Sequence, residues 1–272
     1  MHHNEGMNNI HPNAKIGQNV RIGPFATIEA DVEIGDDCWI GPNVTIFNGA
    51  RIGRGCQIFP GAVISAVPQD LKYKGEQTTL EIGDNTIVRE FCTLNKGTSA
   101  EGKTVIGSRC LLMAYVHVAH DCIVGDGCIL ANNVTLAGHI HVGNYARLGG
   151  LTAVHQFVHI GEQVMVGGGS LVRKDVPPFV MAAREPLSYA GINRVGLRRA
   201  GFTSEQIHHI EDIYRLIFVR GHNVRRALEI VQAEIPASPL RDRIVAFVTD
   251  SITKRGLMKG FRSIASNRDN PA

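Results

Sequence analysis

Aromatic side chains are scarce in this sequence: they make up 6% of the residues, with one Trp, whereas glycine occurs 30 times. Long apolar runs are absent as well. No stretch approaches the roughly 18 apolar residues that cross a bilayer, and the first residues offer no apolar run for a signal peptide. We therefore expect a cytoplasmic protein without an integral membrane segment, with a core of small and branched side chains.

Cysteine is present, but not in a pattern typical of metal sites or disulfide frameworks. The six cysteines include no C-x-x-C pair, the spacing that many zinc sites use. All six fall at one position of a six-residue repeat, which predicts that they pack in the interior. They are Cys38, Cys56, Cys92, Cys110, Cys122 and Cys128.

The two parts of the sequence differ in charge. Residues 1–188 contain 14 Lys and Arg against 17 Asp and Glu, a net −3, whereas residues 189–272 contain 14 against 8, a net +6. A basic tail attracts acidic partners over long range, but a solvated helical surface has the same composition. Charge alone therefore leaves the partner open.

Aliphatic residues recur every six positions over most of the chain. Ile occupies each sixth position from Ile10 to Ile64, and the same frame returns at Ile82 and runs unbroken from Ile106 to Val172. A second register, two positions earlier, holds mostly small side chains. Helical patterns repeat at 3.6 residues and strand patterns at two, so a strict period of six excludes long amphipathic helices. The pattern predicts an all-β left-handed parallel β-helix, a hexapeptide-repeat solenoid in which three units close one eighteen-residue coil.

The repeat also predicts where the solenoid is interrupted. Its frame fails at residues 65–81 and 95–105, and we expect both segments to leave the solenoid as loops. Long loops on a rigid scaffold often carry function. The frame ends before Pro177 and Pro178, and we assign residues 1–188 to the β-helix.

Helical signals follow the repeat. Thr203 and Gln206 have the spacing of a capping box, and further helices are expected after Asn223 and Ser238. Residues 189–272 are therefore predicted to form a small C-terminal α-helical domain.

Because one coil takes eighteen residues, positions eighteen apart stack along one edge, and this brings histidines together. His120 lies beneath Gly138, and His139 is its neighbour. His155 and Gln156 follow one coil further. Neutral imidazole can accept a proton from an attacking alcohol, which contributes roughly 10²–10⁴-fold to a rate. A glycine above such a base presents a backbone N–H that can hold an oxyanion, so this edge is a candidate acyl-transfer site.

Other interpretations of these histidines remain open at this point. Polar side chains decorate the outside of any solenoid, including one that only binds or scaffolds. Histidines of neighbouring subunits also bind zinc in β-helices of the γ-carbonic-anhydrase type, so a zinc lyase is an alternative of a different class.

Longer motifs carry a resemblance to a known family. They include PQDLKYKGE at 68–76, HVAHDC at 117–122 and GGLTAVHQF at 149–157. Together they resemble the acyl-[acyl-carrier-protein]–UDP-N-acetylglucosamine O-acyltransferases, which begin lipid A biosynthesis in Gram-negative bacteria. The resemblance covers nearly the whole chain, including the helical tail.

The resemblance implies a reaction, an assembly and roles for three residues. The reaction is transfer of an (R)-3-hydroxyacyl group from acyl carrier protein to the sugar 3-hydroxyl of UDP-N-acetylglucosamine. The assembly is a homotrimer with active sites between subunits, with no cofactor, no metal and no nucleic-acid partner. His120 is similar to the general base, Asp121 to the residue that orients it, and Gly138 to the backbone oxyanion donor.

Residues similar to the family's substrate contacts are spread along the chain. Gly168 corresponds to the position that limits acyl-chain length. It lies 48 residues from His120, which is not a multiple of eighteen, so it belongs to another face and favours a site shared between subunits. The other contacts are Asp70, Lys72, His117, His139, His155, Gln156, Asn193 and Arg199.

Two positions depart from the family pattern. Val195 stands where members can carry an acidic residue, and Ala200 where a second basic residue can follow Arg199. How the nucleotide is held is therefore open, and so is a 3-amino acceptor with N-acylation. The resemblance gives the basic tail an acidic partner, acyl carrier protein, with candidate contacts at Arg173, Lys174, Arg198 and Arg220.

Overall fold

The computed structural model describes residues 7–260, and from Asn9 to Val172 the chain winds as a three-sided parallel β-helix. The first wall consists of Asn9–Ile10, Thr27–Ile28, Thr45–Ile46, Val63–Ala66, Thr93–Asn95, His117–Val118, Thr135–Leu136, Ala153–Val154 and Leu171–Val172. The second wall consists of Lys15–Ile16, Val32–Ile34, Ala50–Ile52, Thr79–Ile82, Lys103–Ile106, Ile123–Val124, His141–Val142 and His159–Ile160. The third wall begins with Arg21–Ile22, Trp39–Ile40, Gln57–Ile58, Ile87–Val88, Leu111–Leu112, Ile129–Leu130, Arg147–Leu148 and Met165–Val166.

The interior follows the two registers of the repeat. In each short strand the aliphatic residue of the six-residue frame points inward, so that Ile28, Ile46 and Ile64 are at most 1% exposed along the first wall. The small register fills the space beside the corners. All six cysteines belong to it, and all are buried and unpaired, as predicted. A period of six thus becomes a continuous core because every third unit stacks on the same wall.

The two loops are shorter than the failed frame predicts. The first occupies residues 67–78 and the second residues 96–102. Strand pairing resumes earlier because Leu80 and Thr104 already point inward and are fully buried. Both loops leave the edge between the first and second walls.

The third wall continues past the end of the repeat. It is extended by Val180–Ala183, then by antiparallel Ser188–Ile192, and finally by Lys259–Gly260, which pairs in parallel with Ser188 and Tyr189. The sequence pattern predicts no such hairpin. The predicted domain boundary at 188/189 falls at the start of the second hairpin strand, Ser188–Ile192, and the first helix begins at Arg194. The outer ends of the two assigned domains, residues 1–6 and 261–272, lie outside the described residues.

The three helices predicted after Thr203, Asn223 and Ser238 are confirmed. Helix α1 spans Arg194–Arg199, which the pattern did not predict. Helix α2, Ser204–Tyr214, starts at the Thr203 capping box and continues as a π-helical segment, Arg215–Val219. Helix α3, Val224–Glu234, and helix α4, Pro239–Thr253, are capped by Asn223 and Ser238. Among the helices of residues 7–260, none has the length and apolarity needed to cross a bilayer.

Candidate active site

One edge of the prism, between the first and second walls, gathers most of the predicted chemistry; we call it the site edge. Both loops leave the prism there, and His120 and Asp121 lie one coil beyond the second loop. Gly138 and His139 follow on the next coil. The eighteen-residue register is observed here, since His117 pairs with Thr135 on the adjacent strand.

A hydrogen-bonded His–Asp pair lies at the centre of the site edge. The His120 Nδ1 atom is 2.8 Å from Oδ2 of Asp121, whose side chain is completely buried. Thr98, on the second loop, donates its backbone N–H to Oδ1 at 2.8 Å and its hydroxyl to Oδ2 at 2.6 Å. The loop therefore engages both carboxylate oxygens, and it shares Oδ2 with the imidazole.

These contacts decide the charge and the tautomer of the pair. Burial opposes ionisation of Asp121, but hydrogen bonds from Thr98 and His120 outweigh it and bring the pKa of Asp121 below its ordinary value. A carboxylate can only accept hydrogen bonds, so Nδ1 of His120 carries a proton when the pair is formed. Nε2 is then left as an acceptor, which a general base requires.

Gly138 packs directly on the base. A Cβ atom at this position would lie 2.6 Å from Cε1 of His120, which no side chain tolerates without movement of the ring. Within residues 7–260 the Gly138 N–H donates to no acceptor. The residue that packs on the imidazole thus has an unused backbone donor, as an oxyanion site needs.

Two aromatic rings continue the site along the edge. The His139 ring packs perpendicular to His120, with centroids 5.0 Å apart, and stacks on Phe157 at 4.6 Å. The sequence interpretation gave no role to Phe157 or Thr98. The eighteen-residue map could have found Phe157, which is eighteen residues after His139, whereas nothing in the sequence specifies how the Thr98 loop folds back.

His117 is placed on the outer face of the first wall, three residues before the base. Its Nδ1 lies 2.7 Å from the hydroxyl of Thr93. Burial lowers the pKa of His117 against the opposing effect of Thr93. His117 is therefore a neutral hydrogen-bonding group near neutral pH, suited to contact a substrate rather than to carry charge.

The His120–Asp121 pair and the neighbouring His139 also form a possible metal site. His120, Asp121 and His139 have ligand atoms within 4.8 Å of one another. Nδ1 of His120 and Oδ2 of Asp121 already bind each other, however, and Oδ2 also accepts from Thr98, so a metal held by these two atoms would have to replace their hydrogen bond. The geometry favours an oriented base over a metal centre.

Comparison with known proteins decides the family. The family model for the second domain of UDP-N-acetylglucosamine O-acyltransferase matches residues 175–258, and the bacterial transferase hexapeptide model matches residues 13–48, 31–66 and 103–138. An acyl-[acyl-carrier-protein]–UDP-N-acetylglucosamine O-acyltransferase of Chlorobaculum tepidum is 59% identical over 94% of this chain and 100% of its own. The chain belongs to this acyltransferase family.

Solved structures of family members agree. The UDP-N-acetylglucosamine acyltransferase of Bacteroides fragilis superposes with a TM-score of 0.92 at 48% identity, over 95% of this chain and 100% of that one. The Francisella novicida acyltransferase gives 0.91 at 34% identity over 100% of both chains. The left-handed parallel β-helix with a small C-terminal helical region is thereby confirmed.

Several residues singled out by family resemblance make no direct contact with the base through hydrogen bonds. Asp70 and Lys72 are on the first loop, where the Asp70 carboxylate accepts from the Lys72 N–H at 2.9 Å. Gly168 lies on the edge between the third and first walls, beside the carbonyl of Gly150. Within residues 7–260 none of these hydrogen-bonds to the His120 pair.

The two nucleotide candidates of the tail belong to the start and the end of α1, and Asn193 lies at the edge between the second and third walls, beside Gln163. Asn193 caps α1 through Gly196 and donates to the carbonyl of Gln163 at 2.8 Å, so both ends of its amide are engaged inside the chain. Arg199 is exposed in the last turn of α1. His155 and Gln156 are exposed on the site edge, beyond Gly138.

Proposed function

We propose that this chain transfers an (R)-3-hydroxyacyl group from acyl carrier protein to the 3-hydroxyl of UDP-N-acetylglucosamine, the first reaction of lipid A biosynthesis. The observation that carries the proposal is the His120 imidazole held by a buried carboxylate and packed against Gly138, with no hydrogen bond to its Nε2 from residues 7–260. Family membership supports the choice of substrates.

The reaction runs without a covalent enzyme intermediate. Nε2 of His120 takes the proton of the sugar 3-hydroxyl as its oxygen attacks the thioester carbonyl. The Gly138 N–H donates to the oxyanion of the tetrahedral intermediate. Collapse breaks the carbon–sulfur bond, and the imidazolium protonates the departing thiolate. The Asp121 carboxylate keeps the ring oriented and stabilises its charge while it holds the proton.

The proposal includes a homotrimer, because one chain spreads its site residues over three edges. His120 lies on the site edge, Asn193 at the edge between the second and third walls, and Gly168 at the edge between the third and first walls. The edge that carries Gly168 is also apolar and open: Phe91 and Tyr115 stack there at 5.3 Å, and they are 52% and 56% exposed. Apolar edges of this kind are normally covered by a partner. Sedimentation of a monomer at micromolar concentration would contradict this part.

In this proposal the enzyme works in the cytoplasm and binds acyl carrier protein through basic residues of the tail and of the adjacent end of the prism. The four basic candidates are all exposed, and they flank the end of the prism and the helices: Arg173, Lys174, Arg198 and Arg220. An acidic carrier is suited to such a surface, and its affinity should fall as salt is added.

The test is a direct assay of product. Purified protein is mixed with a panel of (R)-3-hydroxyacyl carrier proteins and either UDP-N-acetylglucosamine or its 3-amino analogue, and products are read by mass spectrometry. We expect an ester on the acetamido sugar, cleaved by mild base. An amide formed only on the amino sugar would change the acceptor assignment. Absence of transfer to both acceptors, with stoichiometric zinc and hydration of carbon dioxide, would replace the proposal by a zinc lyase.

A further inference from the structure

The C-terminal segment reaches the site edge at His155. Arg255 follows the end of α4, and its Nη2 lies 2.7 Å from Nδ1 of His155. The two residues are 100 positions apart in sequence. His155 lies next to Gln156, which stands two coils beyond His120 on the same edge.

The partner of His155 fixes where its proton is. A guanidinium has only N–H donors, so the contact with Arg255 exists only when Nδ1 carries no proton. The carbonyl of Gln156 is 3.2 Å from the same Nδ1 and would need the opposite arrangement. A charged donor at the shorter distance prevails over a neutral acceptor at the longer one. The proton of the neutral ring is therefore on Nε2, at the exposed end of the ring.

Arg255 is held in place by a buried anchor. Asp175, 1% exposed, accepts from the Ser251 hydroxyl at 2.8 Å and from the His159 N–H at 2.9 Å. Its backbone pairs with Gly256 and Met258 on either side, each at 3.0 Å.

Lys174 adds a further bond at the same place. Its ammonium group donates to the Arg255 carbonyl at 2.7 Å. The guanidinium is thus presented by a segment tied to the prism on both sides of residue 255.

We infer that Arg255 is a positioning residue that holds His155 in its Nε2–H form, so that His155 donates a hydrogen bond to an oxygen of the bound sugar nucleotide. The inference rests on the proposed function for the identity of the ligand. It assigns opposite roles to two histidines of one edge: His120 accepts through Nε2 because a carboxylate holds Nδ1, and His155 donates through Nε2 because a guanidinium holds Nδ1.

The direct test is the tautomer of His155. Protein labelled with ¹⁵N-histidine is examined by long-range ¹H–¹⁵N NMR at neutral pH, and His155→Gln assigns the signals by removing them. We expect an unprotonated Nδ1 and a protonated Nε2 in the wild type. Arg255→Met should convert His155 to a mixture of tautomers, whereas Arg255→Lys, still a pure donor, should retain the single form. A protonated Nδ1 in the wild type overturns the inference, even if no variant folds.

The second readout separates binding from chemistry. Losing one hydrogen bond to substrate should raise the KM for UDP-N-acetylglucosamine, and its Kd by calorimetry, about tenfold in Arg255→Met, with kcat changed less than about twofold. Lys254→Met is the matched control, because Lys254 carries the same charge next in sequence but pairs with Asp250. An equal rise in the control, or a fall in kcat at constant KM, contradicts the assigned role.

This design keeps the two proposals apart. A wild-type protein with the expected tautomer that transfers no acyl group would contradict the proposed function alone. A wild-type protein that transfers acyl groups with His155 protonated at Nδ1 would contradict only the role of Arg255.

Discussion

Asn48 and His120 occupy the same position of the coil, three coils apart on the site edge. Asn48 has a structural role: its side-chain oxygen accepts from the Asp31 N–H, and its backbone carbonyl accepts from the Ser65 hydroxyl. His120 binds a buried carboxylate through one nitrogen, and the other nitrogen makes no hydrogen bond within the described part of the chain, residues 7–260.

The outer face of the second wall also differs between the early and the late coils. The early coils carry exposed ion pairs such as Lys15 with Glu33, whereas the late coils present Ile123 and a stacked pair of rings, His141 and His159, 4.6 Å apart. The walls and core are alike in both halves. Packing therefore dictates the inward residues everywhere, and outward positions at a corner are free to carry chemistry wherever a loop or neighbouring coil supports it.

The largest effect should come from removing the base. His120→Ala should lower kcat by at least about two decades, because the general base contributes roughly 10²–10⁴-fold. Asn48→Ala, at the equivalent early position, should lower thermal stability through its lost hydrogen bond and leave kcat unchanged. Steady-state kinetics and thermal unfolding of both variants check this. A near-wild-type rate for His120→Ala would remove the histidine from the mechanism.

A methyl group at Gly138 should come next. Gly138→Ala pushes against the His120 ring, and a displacement of about 1 Å can cost roughly 10²-fold in rate. Gly35→Ala is the control, since its Cβ would meet the Arg54 backbone nitrogen at 2.7 Å on a different edge. We expect both variants to lose stability and only the first to lose activity. Equal kcat losses would show that coil packing, not the site, is responsible.

Loss of the Thr98 hydroxyl should have a smaller, pH-dependent effect. Thr98 helps to keep the pKa of Asp121 low, so Thr98→Val should raise that pKa and move the acid limb of the kcat profile to higher pH. At neutral pH kcat should fall about tenfold, because the carboxylate that orients His120 loses a charge-assisted hydrogen bond. Thr98→Ser should restore it.

A second buried threonine, Thr86, provides the control for Thr98→Val. Thr86 also makes two hydrogen bonds, but at another edge, to the Gly107 carbonyl and from the Cys110 N–H. Thr86→Val should therefore reduce stability and leave the pH profile in place. If both variants shift the acid limb equally, the Thr98 contact does not tune the pair.

The smallest effect concerns substrate length. Gly168→Met should shift preference toward shorter acyl chains, by about fourfold for each methylene that no longer finds a buried place. Pro42→Met puts the same side chain on the same edge far from the late coils and should leave the profile unchanged. Competition between carrier proteins of different chain length measures both. An unaltered profile for Gly168→Met would exclude this position from the acyl pocket.

Part of the site could be predicted because residues eighteen positions apart stack on the same edge. Once a coil is known to take eighteen residues, His120 must meet Gly138, and the 2.6 Å clearance above the imidazole confirms it. The conformation of the two loops does not follow from this eighteen-residue spacing. Thr98 reaches Asp121 only through the path of residues 96–102, and the frame failure shows where that loop lies without showing how it folds.

The six-residue spacing of Ile, Val and Leu is enough to predict the three walls, the coil length and the edge on which the histidines stack, because three units close one coil and bury their aliphatic residues in a common interior. The tautomers of the two imidazoles depend instead on contacts that form only in the folded chain. Asp121 with Thr98 sets the proton of His120, and Arg255 sets that of His155, through contacts whose partners are fixed by the three-dimensional path of the chain.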